Sequence, residues 1–391
     1  MVSAQVEPWS EPRRSVDEAG HVTLEPPAHD APELPIQTLV SALLHSLVRR
    51  EALPHTVLAK PAAEVQKKGG FAVARLYVAG GDAVTVLENG RAETGLDGRG
   101  ARCLAVDPED PDTLYVGTSD EGLFKSADGG SSWEGLSGIE HPRVTAVAVS
   151  PEDGAVYAGT EPSALFVSSD GGGSWRELEN MRNLPSQPTW SFPPRPWTSH
   201  VRAIALSFSD PNLVVVGIEL GGVLRSTDGG ETWQDQRPGA QPDCHSMFAH
   251  PEAPELLYEA GGGGFARSTD FGDSWEALDE GMGLHYVWGL AADAEDPSLV
   301  YASAAPGPYR AHGGGASGAA IYRKMGNEPW QAALEGLAAF PYALCPDPEA
   351  PGTLYAGLGD GTILRGSDAG ESWQEVARVG QGLDALAAVS A

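Results

Sequence analysis

The chain has 391 residues, of which 54 are Asp or Glu and 25 are Lys or Arg, for a formal net charge of −29 at pH 7. That excess of negative charge argues for solubility and excludes wholesale binding to nucleic acid or an anionic membrane, both of which need a basic surface to displace counterions. Gly (49) and Pro (31) are abundant and charged residues make up 20 %, a composition that suits many short strands joined by turns. The cysteines, Cys103, Cys244 and Cys345, lie far apart within apolar strand patterns and are expected as buried free thiols. No apolar run approaches the ~18 residues of a spanning helix, and the N-terminal MVSAQVEPWSEPRR lacks the basic start and apolar core of a signal peptide. The expectation is a cytoplasmic monomer.

Residues 1–34 are rich in Pro, Glu and small polar residues, with little apolar surface to offset the entropy of ordering, and read as a flexible tail. From Pro35, Ile36, Leu39, Val40, Leu43, Leu44, Leu47 and Val48 recur at helical spacing, with Glu33 ahead of them and Arg49 and Arg50 at the end, as a helix dipole prefers. This is one amphipathic helix, either a clasp on the main domain or a docking helix for a partner. Pro54, Pro61 and Lys67 to Gly70 complete a linker to residue 70.

From residue 71 a unit of about 42 residues repeats. Its marker is S-x-D-x-G-x-x-W: Ser126 to Trp133, Ser168 to Trp175, Ser226 to Trp233, Ser268 to Trp275, and Ser367 to Trp373 with Gly366 and Ser367 leading into Asp368. The box is turn chemistry. Its Asp (Asp128, Asp170, Asp228, Asp270, Asp368) accepts local backbone hydrogen bonds, its Gly supplies positive φ, and its Trp opens the next strand as a packing residue. Asp128 to Asp170 and Asp228 to Asp270 each span 42 residues, and Asp270 to Asp368 spans 98, so a unit with a decayed box at Asn327 to Trp330 lies between. Six units result. Three strand-like pieces in 74–99, with Asn89-Gly90 as a hairpin turn, precede them, and the small-apolar stretch Leu383 to Val389 follows. Joined together, the two ends make a seventh blade that removes the free edges. The expected fold is an all-β seven-bladed propeller over 71–391 with a short N-terminal helical extension; six blades is the alternative if 74–99 packs elsewhere.

The five boxes, most with an L-Y-x-G strand ahead of them, resemble the BNR or Asp-box repeat superfamily over about 320 of the 391 residues. That superfamily includes sialidases, xyloglucanases, sortilin-type receptors and a photosystem II assembly factor, so the resemblance implies the fold and leaves both enzymes and binding scaffolds open.

Turns in a four-stranded blade alternate between two faces. Two long insertions, Asn180 to Ser199 and Ala304 to Ala319, fall on the face opposite the Asp boxes, where the innermost strands begin. Aligning the units puts Arg102, Thr145, Arg202, His245, Trp288 and Tyr342 at one position, and Gly100, Arg143, His200, Asp243, Tyr286 and Phe340 two residues earlier. A ring of Arg, His, Asp and aromatic residues is expected at this mouth, either as a site or as a wet structural channel. Arg102, Arg143 and Arg202 suit a carboxylate or other anion. Trp190, Trp197, Trp288 and Tyr342 offer flat surfaces for a sugar or aromatic ring, or for a protein segment. The sialidase resemblance implies a second chemistry, glycoside hydrolysis or a lyase reaction. Tyr342 or Tyr286 would act with Glu219 or Glu259, and His245 would be at hand; no matching N-terminal Arg motif is present, however. A third possibility, a metal held by His200, His245 and His285 with Asp243, is weaker than hydrogen-bonded structural histidines. No cofactor is expected, and an assembly scaffold stands as the remaining alternative.

Overall fold

A computed structural model describes residues 13–16, 22–25 and 74–390 other than 314 and 381. The chain divides into two units, 1–59 and 60–391. In the first, Arg13–Val16 pairs antiparallel with Val22–Glu25; the rest of the expected tail, the helix from residue 36 and the linker to residue 70 lie outside the described residues. No helix among the described residues is long and apolar enough to cross a membrane.

The second unit is a seven-bladed β-propeller. Blade 1 is made from both ends of the chain, in the order Leu383–Val389, Arg75–Gly80, Ala83–Glu88, Arg91–Gly95. The innermost strands of blades 2 to 7 are Ala101–Asp107, Arg143–Val149, Val201–Leu206, Cys244–His250, Tyr286–Ala292 and Pro341–Pro346. Each is followed outward by its next strands in sequence order. Blade 4 has three full strands, and its rim is reduced to the bridge Arg225↔Gln234.

Two repeated features explain why this sequence makes wedges that pack. The Gly of L-Y-x-G lies where the neighbouring blade's inner strand presses closest. A Cβ on Gly117 would sit 2.5 Å from Cys103 Sγ and 2.7 Å from Val144, on Gly159 2.4 Å from Val201, on Gly217 2.3 Å from Cys244 Sγ, and on Gly357 2.5 Å from Leu383. Around these contacts the blades share apolar layers such as Tyr157, Leu165, Val201, Val216 and Leu224. On the rim, a basic side chain of one blade reaches the box turn of the next: Lys125 Nζ donates to Gly171 O (3.1 Å), Arg225 Nε to Phe271 O (2.9 Å) and Arg323 Nη1 to Ala369 O (2.9 Å).

In the first box Ser126 Oγ donates to Asp128 Oδ1 (2.8 Å) and accepts from Gly130 N (2.9 Å), while Ser132 donates its amide (2.8 Å) and hydroxyl (2.6 Å) to the same carboxylate. The same set recurs about Asp170, Asp228 and Asp270. Asp368 departs from it. With Gly366 in place of the Ser there is no hydroxyl to organise the turn. Asp368 and Ala369 go left-handed (φ 54° and 55°), and the rim strand Ser372–Arg378 pairs along its whole length. The role expected for Asp368 as a box carboxylate is thereby corrected, although Trp373 Nε1 still donates to Gly370 O (2.9 Å).

Three predictions follow from this packing. Gly159→Ala, which forces Cβ against a β-branched side chain, is expected to lower stability by about 1–3 kcal/mol in urea unfolding. Ser226→Ala strands the Gly230 amide and should cost about 1–3 kcal/mol. The Ser174 hydroxyl and amide pull Asp170 down to about 2, and Asp128, Asp228 and Asp270 are lowered as well. Because the folded values lie below the unfolded one, the contribution is complete above about pH 4 and is lost as pH falls through the folded values. Acid titration of the unfolding midpoint should therefore show a decline between about pH 4 and pH 2 that is shallower in Asp170→Asn.

Candidate functional site

Every inner strand begins with a β-bulge, and the bulged residues are the ones aligned from the sequence. The register skips Arg102, Thr145, Arg202, His245, Trp288 with Gly289, and Tyr342; in blade 1 it skips Asp384. A bulge takes one residue out of the ladder and re-aims its side chain. Seven bulges therefore gather these groups around the axis on the face of the two insertions.

The ring is closely paired. Arg102 Nε donates to Ser119 Oγ (2.7 Å) and its Nη1 meets Asp384 (3.0 Å). Arg143 meets Asp120 (2.8 Å) and lies 3.8 Å from Glu161. Arg195 of the first insertion holds both oxygens of buried Glu161 at 2.6 Å and lies 4.8 Å over the Phe192 ring. Thr145 Oγ1 donates to Val201 O (2.7 Å), tying blade 3 to blade 4. In blade 4, His200 Nε2 is 3.1 Å and Arg202 Nε 3.9 Å from Glu219 Oε2. Burial pushes Glu219 up, but the hydrogen bond and charge of His200 and the charges of Arg202 and His245 outweigh it and bring the carboxyl to about 2.

Blades 5 to 7 supply the aromatic half. His245, buried at 2 % exposure, sets Nδ1 2.6 Å from Val287 O and Nε2 3.4 Å from Asp243 Oδ2. Trp288 lies 4.4 Å from the His245 ring and under the Arg202 guanidinium at 4.4 Å. The second insertion forms a short helix, Pro308–His312. Its His312 bridges Tyr286 OH (2.7 Å) and Tyr342 OH (3.0 Å), and Tyr342 OH also donates to Ala311 O (3.2 Å). Phe340 is buried beside them.

Not every expected residue joins the ring. Trp190 is buried in the layer between blades 3 and 4, with Nε1 on Ser186 Oγ at 3.0 Å, so its faces are spent on packing. Trp197 is 78 % exposed and Tyr309 74 % exposed, one in each insertion. Glu259 is fully buried, with its Oε2 accepting from Gln241 N (3.0 Å), and burial pushes its carboxyl up to about 8. Gly100 brings no side chain. His285 lies on the wall of a cleft of about 410 Å³ with Gly262, Gly283, Leu284, Tyr286, Pro306, Gly307 and Pro308. No group of three or more His, Cys, Asp or Glu side chains among the described residues is placed to hold a metal ion. The unforeseen members are Asp384, Glu161, Arg195 and His312; the last two sit in insertions whose position on this face was the available signal.

A family model described as the BNR/Asp-box repeat matches residues 224–235, the box carried by Asp228. That turn matches a BNR/Asp-box repeat. Among solved structures, the chain resembles the GH74 xyloglucanase of Xanthomonas campestris (17 % identity, 71 % of this chain and 45 % of that one, TM-score 0.54). It also resembles YCF48 bound to D1 peptide (17 %, 71 % and 81 %, 0.50) and the RRP9 WD40 repeats (11 %, 80 % and 88 %, 0.53). At these identities the likeness is one of fold, and the chain spans less than half the length of that xyloglucanase. No curated protein matches the chain in sequence.

Glu259 yields a test of the site's support. Its folded value lies above the unfolded one, so its contribution is complete below about pH 4.3 and is lost as pH rises through about 8. Relative to Glu259→Gln, the native chain should lose at least about 1 kcal/mol between pH 5 and pH 8 in urea unfolding; parallel pH profiles would refute this.

Proposed function

We propose that this propeller is a binding protein that takes a polar ligand, or a polar segment of another protein, at the axial mouth opposite the Asp boxes. One observation carries the reading. His200 Nδ1, Arg202 Nε, Asp243 Oδ1 and His245 Nε2 are buried atoms without a hydrogen-bond partner, and all four belong to adjacent strand ends of blades 4 and 5. Each such group costs about 1–3 kcal/mol, and a concentration of them at one mouth is what a ligand-completed network looks like before the ligand arrives. The exposed aromatics Trp197 and Tyr309, one per insertion on this face, are side chains of the kind that anchor protein interfaces.

Hydrolysis is the weaker reading. A glycosidase needs one carboxyl held protonated to serve as general acid. Glu219 is driven the other way, to about 2, Glu161 has both oxygens held by Arg195, and Glu259, the one carboxyl raised toward neutrality among the described residues, is walled in. A sugar remains a suitable ligand without being cleaved. The solved YCF48 complex with D1 peptide is a precedent on this fold for a protein segment as the ligand.

Two measurements test the proposal. Arg202→Met removes a buried Nε that makes no hydrogen bond, together with its 3.9 Å contact to Glu219 and its place over the Trp288 ring, and should cost no more than about 3 kcal/mol in urea unfolding; a larger loss would mark Arg202 as structural and overturn the reading. Incubation with aryl glycosides or xyloglucan should release no product. Release that disappears in a folded Glu219→Gln variant would establish the hydrolase instead.

A further inference from the structure

Around the mouth the guanidinium groups are already answered by carboxylates. Arg102 faces Asp384, Arg143 faces Asp120 and Glu161, Arg195 faces Glu161, and Arg202 faces Glu219. Asp243 differs. Among the described residues its one ion-pair contact is with the imidazole of His245 at 3.4 Å and its Oδ1 has no hydrogen-bond partner, while a quarter of its side chain is open to solvent. The His245 nitrogen that faces Asp243 is Nε2, while Nδ1 lies 2.6 Å from the Val287 carbonyl oxygen.

Asp243 also sits at the edge of a cleft. Its Oδ2 would lie 2.3 Å from a Cβ on Gly262, and Gly262 and Tyr286 both wall the cleft of about 410 Å³ between blades 5 and 6. That volume falls in the range of small-ligand sites. Burial is the first cause that pushes the Tyr286 phenol up, the charges of Glu219 and Asp243 are the next, and the charge of Arg202 opposes them without reversing the shift.

We propose that the cleft and the adjoining mouth bind a cationic nitrogen, the ammonium or guanidinium of a Lys or Arg side chain in a peptide, with Asp243 as its counter-ion and the Tyr286 ring beside it. An ammonium donates to Asp243 and takes further stabilisation from an aromatic face. The net charge of −29 steers such ligands toward the protein. This rests on the binding reading above and replaces the anion expected from Arg102, Arg143 and Arg202, whose charges are spent on Asp384, Asp120, Glu161 and Glu219.

The test uses the full chain and two matched probes, acetyl-Gly-Lys-Gly-amide and acetyl-Gly-Glu-Gly-amide, each titrated to about 10 mM, enough to see millimolar binding, at about 0.15 M salt to screen diffuse attraction. The readout is the indole N–H resonance of Trp288, which lies 6.0 Å from the Tyr286 ring. The lysine peptide should shift it saturably and the glutamate peptide should not, and Asp243→Asn and Tyr286→Leu should each weaken the lysine peptide at least tenfold. Saturable binding of the glutamate peptide instead, or lysine binding indifferent to Asp243→Asn, overturns this inference and leaves the mouth a binding site. Binding by neither probe overturns it together with the reading on which it rests.

Discussion

The last strand of the chain, Leu383–Val389, hydrogen-bonds to the first strand of the propeller, Arg75–Gly80, and the ring depends on that pairing. Without it blade 1 would lack its inner strand, and the exposed edges would invite pairing with other chains. Closure also imposes a geometric demand on every blade, because inner strands crowd toward one axis. The chain meets it with small residues. Gly117, Gly159, Gly217 and Gly357 give up their side chains where Val144, Val201, Cys244 and Leu383 press in.

The same crowding creates the ring of side chains at the mouth. Strands that converge on an axis cannot all keep regular pairing to their ends, and each of the seven breaks register after its first pairs. The residues released there include Arg102, Arg202, His245, Tyr342 and Asp384. Around most of the ring guanidinium and carboxylate groups satisfy one another, and near Asp243 and His245 they do not.

The two faces divide the work. On the Asp-box face, serine hydroxyls and box carboxylates close turns and basic side chains tie each turn to the blade before it. The opposite face carries both insertions, which bring Arg195 onto Glu161 and His312 between two tyrosines. Stability is thus built on one side while the other is free to carry loops of varied chemistry.

The box spacing and the L-Y-x-G strands were enough to read the blade count, the closing strand and the face that carries both insertions, because a repeat writes the same local chemistry at a fixed period. Six of the seven bulge positions were legible for the same reason; Asp384 was not, since its strand ends the chain with no following turn to align. The demotion of Asp368 was latent in Gly366, whose missing hydroxyl releases the turn. What the sequence could not carry was partnership. Arg102 and Asp384 are 282 residues apart, and Glu161 meets Arg195 across an insertion. A row of arginines reads in the sequence as an anion site, and folding sets a carboxylate beside each one. Residue types and their period determined the propeller and where its mouth lies. Only the tertiary structure decided which charges of that mouth are paired, because pairing depends on which side chains closure brings within a few ångströms, and closure joins residues that no local pattern connects.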